Sequence, residues 1–64
     1  MKIFIERTQQ STEKTFEGRA IDLIKLLGMN VEELLIIKNS ELVTENEDLT
    51  DTDEIKLLSV ISGG

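Results

Sequence analysis

A chain of 64 residues is expected to form one domain, near the lower limit for folding without a metal or disulfides and too small to enclose a large active site. It has neither Cys nor His, which excludes disulfides, side-chain thiolate chemistry, histidine general bases and the common zinc ligand sets. Seven basic against thirteen acidic residues leave a net charge of −6, which repels nucleic acid and anionic membranes and favours a protein partner with a basic docking face. No stretch reaches transmembrane length, and the N-terminus is charged too early for a signal peptide, so the expected location is the cytoplasm. The usual per-residue range gives a stability of about 3–9 kcal/mol.

Lys2 to Thr8 alternates and is rich in Ile and Phe, which predicts a strand with Ile3 and Ile5 on one side and Lys2, Phe4 and Glu6 on the other. Gln9-Gln10-Ser11 reads as a hairpin loop, and Thr12 to Glu17 as a weaker second strand anchored by Phe16 and ended by Gly18. Ala20, Leu23, Ile24 and Leu27 then fall at i, i+3, i+4 and i+7, one face of a helix. Asp22 suits the dipole near its start and Gly28 suits a left-handed C-terminal cap. Leu34 to Lys38 is a continuous apolar run, followed by Asn39-Ser40 and Glu41-Leu42-Val43, the pattern of a hairpin. Thr44 to Asp53 is acidic and irregular, with Leu49 as a lone apolar plug for the core. Asp51-Thr52-Asp53 supplies turn chemistry before a last strand, Glu54 to Val60.

One helix cannot cover both faces of a sheet. The expected architecture is therefore a two-layer α+β domain, the helix packing on a face built from Ile3, Ile5, Phe16, Leu35, Ile37, Leu42, Ile55 and Leu57. The opposite face then carries Phe4, Ile36, Leu58 and Val60, which marks either a docking site or hydrophobes scattered over a surface.

The sequence closes on Val60-Ile61-Ser62-Gly63-Gly64. A main-chain carboxylate on two residues without side chains can be threaded into a narrow slot of another protein. Gly64 is thus the candidate reacting group and Gly63 the residue for channel passage; a merely frayed terminus is the competing reading. Fully extended, Ser59 to Gly64 reach roughly 20 Å from the body of the domain. Asp48, Asp51, Asp53 and Glu54 lack the bend glycine and glutamate spacing of a calcium loop and read as a solvated acidic loop.

The order of elements with a terminal Gly63-Gly64 resembles the ubiquitin-like β-grasp proteins, and from Ile21 onward the ThiS/MoaD sulfur-carrier family. Ile21-Asp22-Leu23-Ile24-Lys25-Leu26-Leu27-Gly28 is similar to the family's helix and its glycine stop. Asn39-Ser40-Glu41-Leu42-Val43 resembles its Asn-Gly-Glu-Leu-Val hairpin, Asp51-Thr52-Asp53-Glu54-Ile55 its Asp-Gly-Asp-Glu-Val turn, and Val60-Ile61-Ser62-Gly63-Gly64 its tail. Ser40 and Thr52 stand in place of turn glycines. Ser59 stands where members often have proline, a change expected to loosen the start of the tail. The length and lack of extra loops look more like the ThiS branch.

The resemblance implies a β-grasp domain over residues 1–60, with a mixed four- to five-stranded sheet on one helix, and a flexible tail over 61–64. It implies that an E1-like adenylating enzyme of the ThiF/MoeB type, using MgATP, attaches AMP to the Gly64 carboxylate. A sulfur nucleophile then displaces AMP to leave a thiocarboxylate, delivered to an acceptor such as thiazole synthase in thiamin biosynthesis. The chain would be a carrier rather than an enzyme, with no cofactor or metal of its own. Phe4, Ile36, Leu58, Val60, Ile61 and Ser62 are the expected partner-binding residues. The same resemblance allows an archaeal-type protein modifier joined to target lysines, or a sulfur donor for tRNA or molybdopterin. A β-grasp interaction module with no covalent role is the remaining alternative.

Overall fold

Residues 1–60 are described by the computed structural model; Ile61, Ser62, Gly63 and Gly64, and with them the expected tail, lie outside the described residues. Strands β1 (Lys2–Ile5) and β2 (Gln10–Glu13) precede a short β3 (Gly18–Arg19) and helix α1 (Ala20–Leu26). A 3-10 turn at Val31–Glu33 leads into β4 (Leu34–Lys38), β5 (Glu41–Val43), β6 (Asp48–Leu49) and β7 (Glu54–Ser59). Five of the strands form one sheet in the order β2-β1-β7-β4-β5, while β3 and β6 pair separately. The last strand is therefore the central one, parallel to β1 and antiparallel to β4. This is the small mixed sheet on one helix of the β-grasp fold.

Helix α1 ends as its sequence predicts. The Gly28 amide donates to the Lys25 carbonyl at 3.0 Å and the Met29 amide to the Ile24 carbonyl at 3.1 Å, with Gly28 at φ 74°. That is the paired hydrogen bonding of a Schellman cap, which needs a left-handed residue at this position. At the other end no side chain caps the helix. The amides of Ala20 and Ile21 donate instead to the carbonyls of Glu47 and Glu45, both at 2.9 Å, so the acidic loop is tied to the helix start.

The core consists of Ile3, Ala20, Leu23, Ile24, Ile36, Leu49, Ile55 and Leu57, with Leu49 in the plugging role expected of it. Three expectations need correction. The first strand ends at Ile5, not Thr8, and the second is Gln10–Glu13, not Thr12 to Glu17, because the chain turns at Glu6–Gln9, with Gln9 at φ 57°, rather than at Gln9-Gln10-Ser11. Phe16 lies beyond that strand, half-buried against the core, its ring so close to Gly18 that a Cβ there would come within 3.1 Å. Finally, β4 and β5 face the other way: Ile36, expected outside, is buried, whereas Leu35, Ile37 and Leu42, expected inside, are on the outer face. Leu35 is 44% and Leu42 66% exposed. The register explains it, since Ile36 pairs with Leu57 on one side and Val43 on the other. A run of four apolar residues satisfies either parity, so alternation is silent there and the pairing with β7 decides.

The β4–β5 turn is bound to the start of β7. Asn39 and Ser40 both have positive φ, 48° and 71°, the sign pattern of a type I′ hairpin turn. Asn39 donates through Nδ2 to Asp53 Oδ1 at 2.9 Å, and its Oδ1 accepts from the Glu54 amide at 2.9 Å. Asp53 Oδ2 accepts from the Thr50 amide at 2.7 Å. Lys38 donates to Glu47 Oε2 and to the Asp48 carbonyl, both at 3.0 Å, and lies 4.0 Å from Asp53. The Thr50 amide, then the Asn39 side chain, and more weakly the Lys38 charge hold the Asp53 carboxyl below its ordinary pKa.

Ser40 has a left-handed backbone that glycine adopts without cost, and Gly28 has one that a Cβ would strain although no atom lies within 4 Å of it. Ser40→Gly should stabilise the domain by about 0.5–1 kcal/mol and Gly28→Ala destabilise it by about 1 kcal/mol. Urea unfolding midpoints check both signs.

Because the folded pKa of Asp53 lies below the unfolded one, its stabilisation is present above 3.8 and is lost as pH falls through the folded value. Asp53→Asn should cost about 1–2 kcal/mol at neutral pH. The gap to wild type should close as the pH is taken well below 3.8, measured by unfolding at each pH.

Candidate functional site

Strand β7 carries two features with functional potential, an outward side-chain face and the point where the chain leaves the sheet. Residues directly opposite in register share a face, so the outer face can be read from the ladder. Lys56 lies between Phe4 of β1 and Ile37 of β4; Ile37 pairs in turn with Leu42, and Leu58 pairs with Leu35. Phe4, Ile37 and Leu58 are half-buried by their neighbours, and Leu35, Leu42 and Lys56 are exposed. The result is an apolar field across three central strands and one edge strand, with a single ammonium in its middle. Among the described residues Lys56 makes no ion pair.

At the end of β7 the chain is held rather than loose. The Ser59 amide donates to Glu6 Oε1 at 3.2 Å and the Val60 amide to the Glu33 carbonyl at 2.8 Å. The Ser59 N–H, which a proline would lack, thus has an acceptor; the tail that its substitution was expected to loosen lies outside the described residues. Val60 is 43% exposed and borders a shallow groove of about 370 Å³ between Arg7 on one side and Met29, Glu33 and Leu34 on the other.

Of the residues expected to bind a partner, Phe4 and Leu58 come together on the outer face, and Val60 stands at the chain's exit. Ile36 is not available, being 3% exposed in the core. Ile61, Ser62, Gly63 and Gly64 lie outside the described residues. Sequence reasoning missed Leu35, Ile37 and Leu42 on the outer face and Glu6 and Glu33 at the exit. The first three would have emerged from fixing the β4 parity against Ile55 and Leu57. Nothing in the sequence marks Glu6, whose role depends on where β1 turns away.

The acidic loop is used internally: Asp53 is committed to Thr50 and Asn39, and Glu47 to Lys38. Among the described residues no cluster of His, Cys, Asp and Glu could hold a metal ion, and no helix is long and apolar enough to cross a membrane.

The described residues thus form a β-grasp domain whose central strand ends beside an apolar sheet face. The model of the ThiS family matches residues 4–64, and the chain belongs to that family. Membership implies a sulfur-carrier role, in a family of small carrier proteins that interact with E1-like enzymes and sulfur acceptors. No curated protein matches the chain.

The reversed parity of β4 has a direct check. Ile36→Ala should cost about 2–4 kcal/mol and Leu35→Ala less than about 1 kcal/mol, by equilibrium unfolding of the two variants. The opposite ranking would restore the parity expected from sequence.

Proposed function

We propose that this chain carries sulfur as a thiocarboxylate on Gly64 and surrenders it to an acceptor enzyme, with thiamin thiazole formation as the destination. The observation that carries the reading is the family match, which spans residues 4–64 and so takes in Gly63 and Gly64. A carboxylate is a poor acyl donor because its oxygen leaves badly. An E1-like adenylating enzyme of the ThiF/MoeB type uses MgATP to form the Gly64 acyl-adenylate and release pyrophosphate. A sulfur nucleophile attacks that carbonyl, the C–S bond forms and AMP leaves. The ATP and magnesium belong to the activating enzyme, as do the electrostatics of AMP departure. This chain supplies shape and a surface. Gly63 passes a narrow channel without a Cβ, while Phe4, Leu58 and Val60 meet the partner outside it.

The outer sheet face supports this division of labour, since its apolar residues are more extensive than packing on α1 requires. Leu35, Ile37 and Leu42 extend the docking surface beyond the residues expected from sequence.

Incubation with a candidate adenylating enzyme of the same host, MgATP and a sulfide source, followed by intact-mass analysis, should show one oxygen replaced by sulfur at Gly64. Deleting Gly64 should abolish it with the fold intact. A wild-type terminus that stays a plain carboxylate under these conditions counts against the reading. In the same assay Phe4→Ser and Leu58→Ser should each raise the KM for the chain by about tenfold or more. If these variants instead lose activity only in proportion to lost folding, the outer face has no docking role.

A further inference from the structure

The end of β7 is held in an unusual manner. In a parallel ladder the donors and acceptors of one strand alternate along the other. The Glu6 amide donates to the Leu57 carbonyl at 3.0 Å, so the next β7 amide pointing toward β1, that of Ser59, would ordinarily reach the Glu6 carbonyl. That carbonyl is committed elsewhere. The chain turns sharply after β1, and the Glu6 carbonyl accepts from the Gln9 amide at 3.1 Å and from Gln9 Nε2 at 3.0 Å. The Glu6 side chain takes over the ladder position, its Oε1 accepting from the Ser59 amide at 3.2 Å. From the opposite flank the Glu33 carbonyl holds the Val60 amide at 2.8 Å. Two consecutive amides are thus gripped from opposite sides, one of them by a side chain.

We propose that Glu6 is a positioning residue for the reacting chain end: its carboxylate, standing in for a main-chain carbonyl, fixes the direction in which the chain leaves β7 and hence how Gly64 is offered to the adenylating enzyme. The functional half of this statement rests on the sulfur-carrier reading above. The Glu6 side-chain oxygen gives the Ser59 amide the acceptor that the Glu6 carbonyl no longer offers. Without it, among the described residues, the Ser59 amide loses its acceptor on the β1 side and the Glu33 bond alone holds the exit. Docking must then select one direction from many, an ordering cost that falls on binding rather than on the chemical step.

The test uses Glu6→Ala, which removes the acceptor, and Glu6→Gln, which keeps an Oε1 able to accept. In the free protein, amide hydrogen exchange by NMR should speed up about tenfold at Ser59 in Glu6→Ala, with Ile55 and Leu57 unchanged and Glu6→Gln close to wild type. In ATP–pyrophosphate exchange with the adenylating enzyme, Glu6→Ala should raise the KM for the chain several-fold at unchanged kcat, and Glu6→Gln should restore it. Unaltered Ser59 exchange in Glu6→Ala, an unaltered KM, or a glutamine variant that behaves like alanine would each overturn the proposal. A wild-type chain that no adenylating enzyme activates would instead sink the sulfur-carrier reading; the amide-exchange arm would still decide whether Glu6 holds the chain.

Discussion

Everything in this domain depends on the central placement of β7, hydrogen-bonded along β1 on one edge and β4 on the other. Paired on both edges, β7 has a register fixed jointly by β1 and β4. Ile55 and Leu57, both fully buried, lock that register from the inner face. The alternating residues Lys56 and Leu58 are thereby forced outward, and Ser59 and Val60 are delivered to a defined exit. The inner face serves stability, and the outer face and exit are the surfaces proposed for recognition.

The two ends of β7 are secured by different means. At its start the positive-φ turn of Asn39 and Ser40 is bonded through the Asn39 side chain to Asp53 and to the Glu54 amide. At its finish Glu6 and Glu33 complete the ladder with one carboxylate and one carbonyl. Acidic residues thus do structural work at both ends, which accounts for part of the −6 charge without invoking a ligand. Asp51 is paired with the N-terminal ammonium, and much of the rest lies on the exposed surface.

Much of the fold was legible because its strongest elements obey a single period. Helix α1 and its glycine cap follow from the spacing of Ala20, Leu23, Ile24 and Leu27 before Gly28, and strand β1 follows from Ile3 and Ile5. What failed to be legible failed for identifiable reasons. Leu34-Leu35-Ile36-Ile37 has no alternation, so only its pairing with β7 could assign its faces. Strand β2 is polar throughout and fully exposed at the sheet edge, so no apolar residue marks it, and Phe16 drew the expectation too far along the chain. Of the five apolar residues on the outer face, two, Phe4 and Leu58, followed from the sequence. The exit clamp at Glu6 depends on a long-range juxtaposition of residues far apart in sequence, which local patterns do not encode.

The central claim is that the outer sheet face and the exit of β7 form one working surface, with the helix on the far side as structural support. The most direct measurement is titration of the ¹⁵N-labelled chain with the adenylating enzyme, following amide signals by NMR. The account predicts that Phe4, Leu35, Ile37, Leu58 and Val60 broaden together while Asp22, Lys25 and Leu26 of the helix are unaffected. Perturbation centred on the helix, with the sheet signals unmoved, would contradict it.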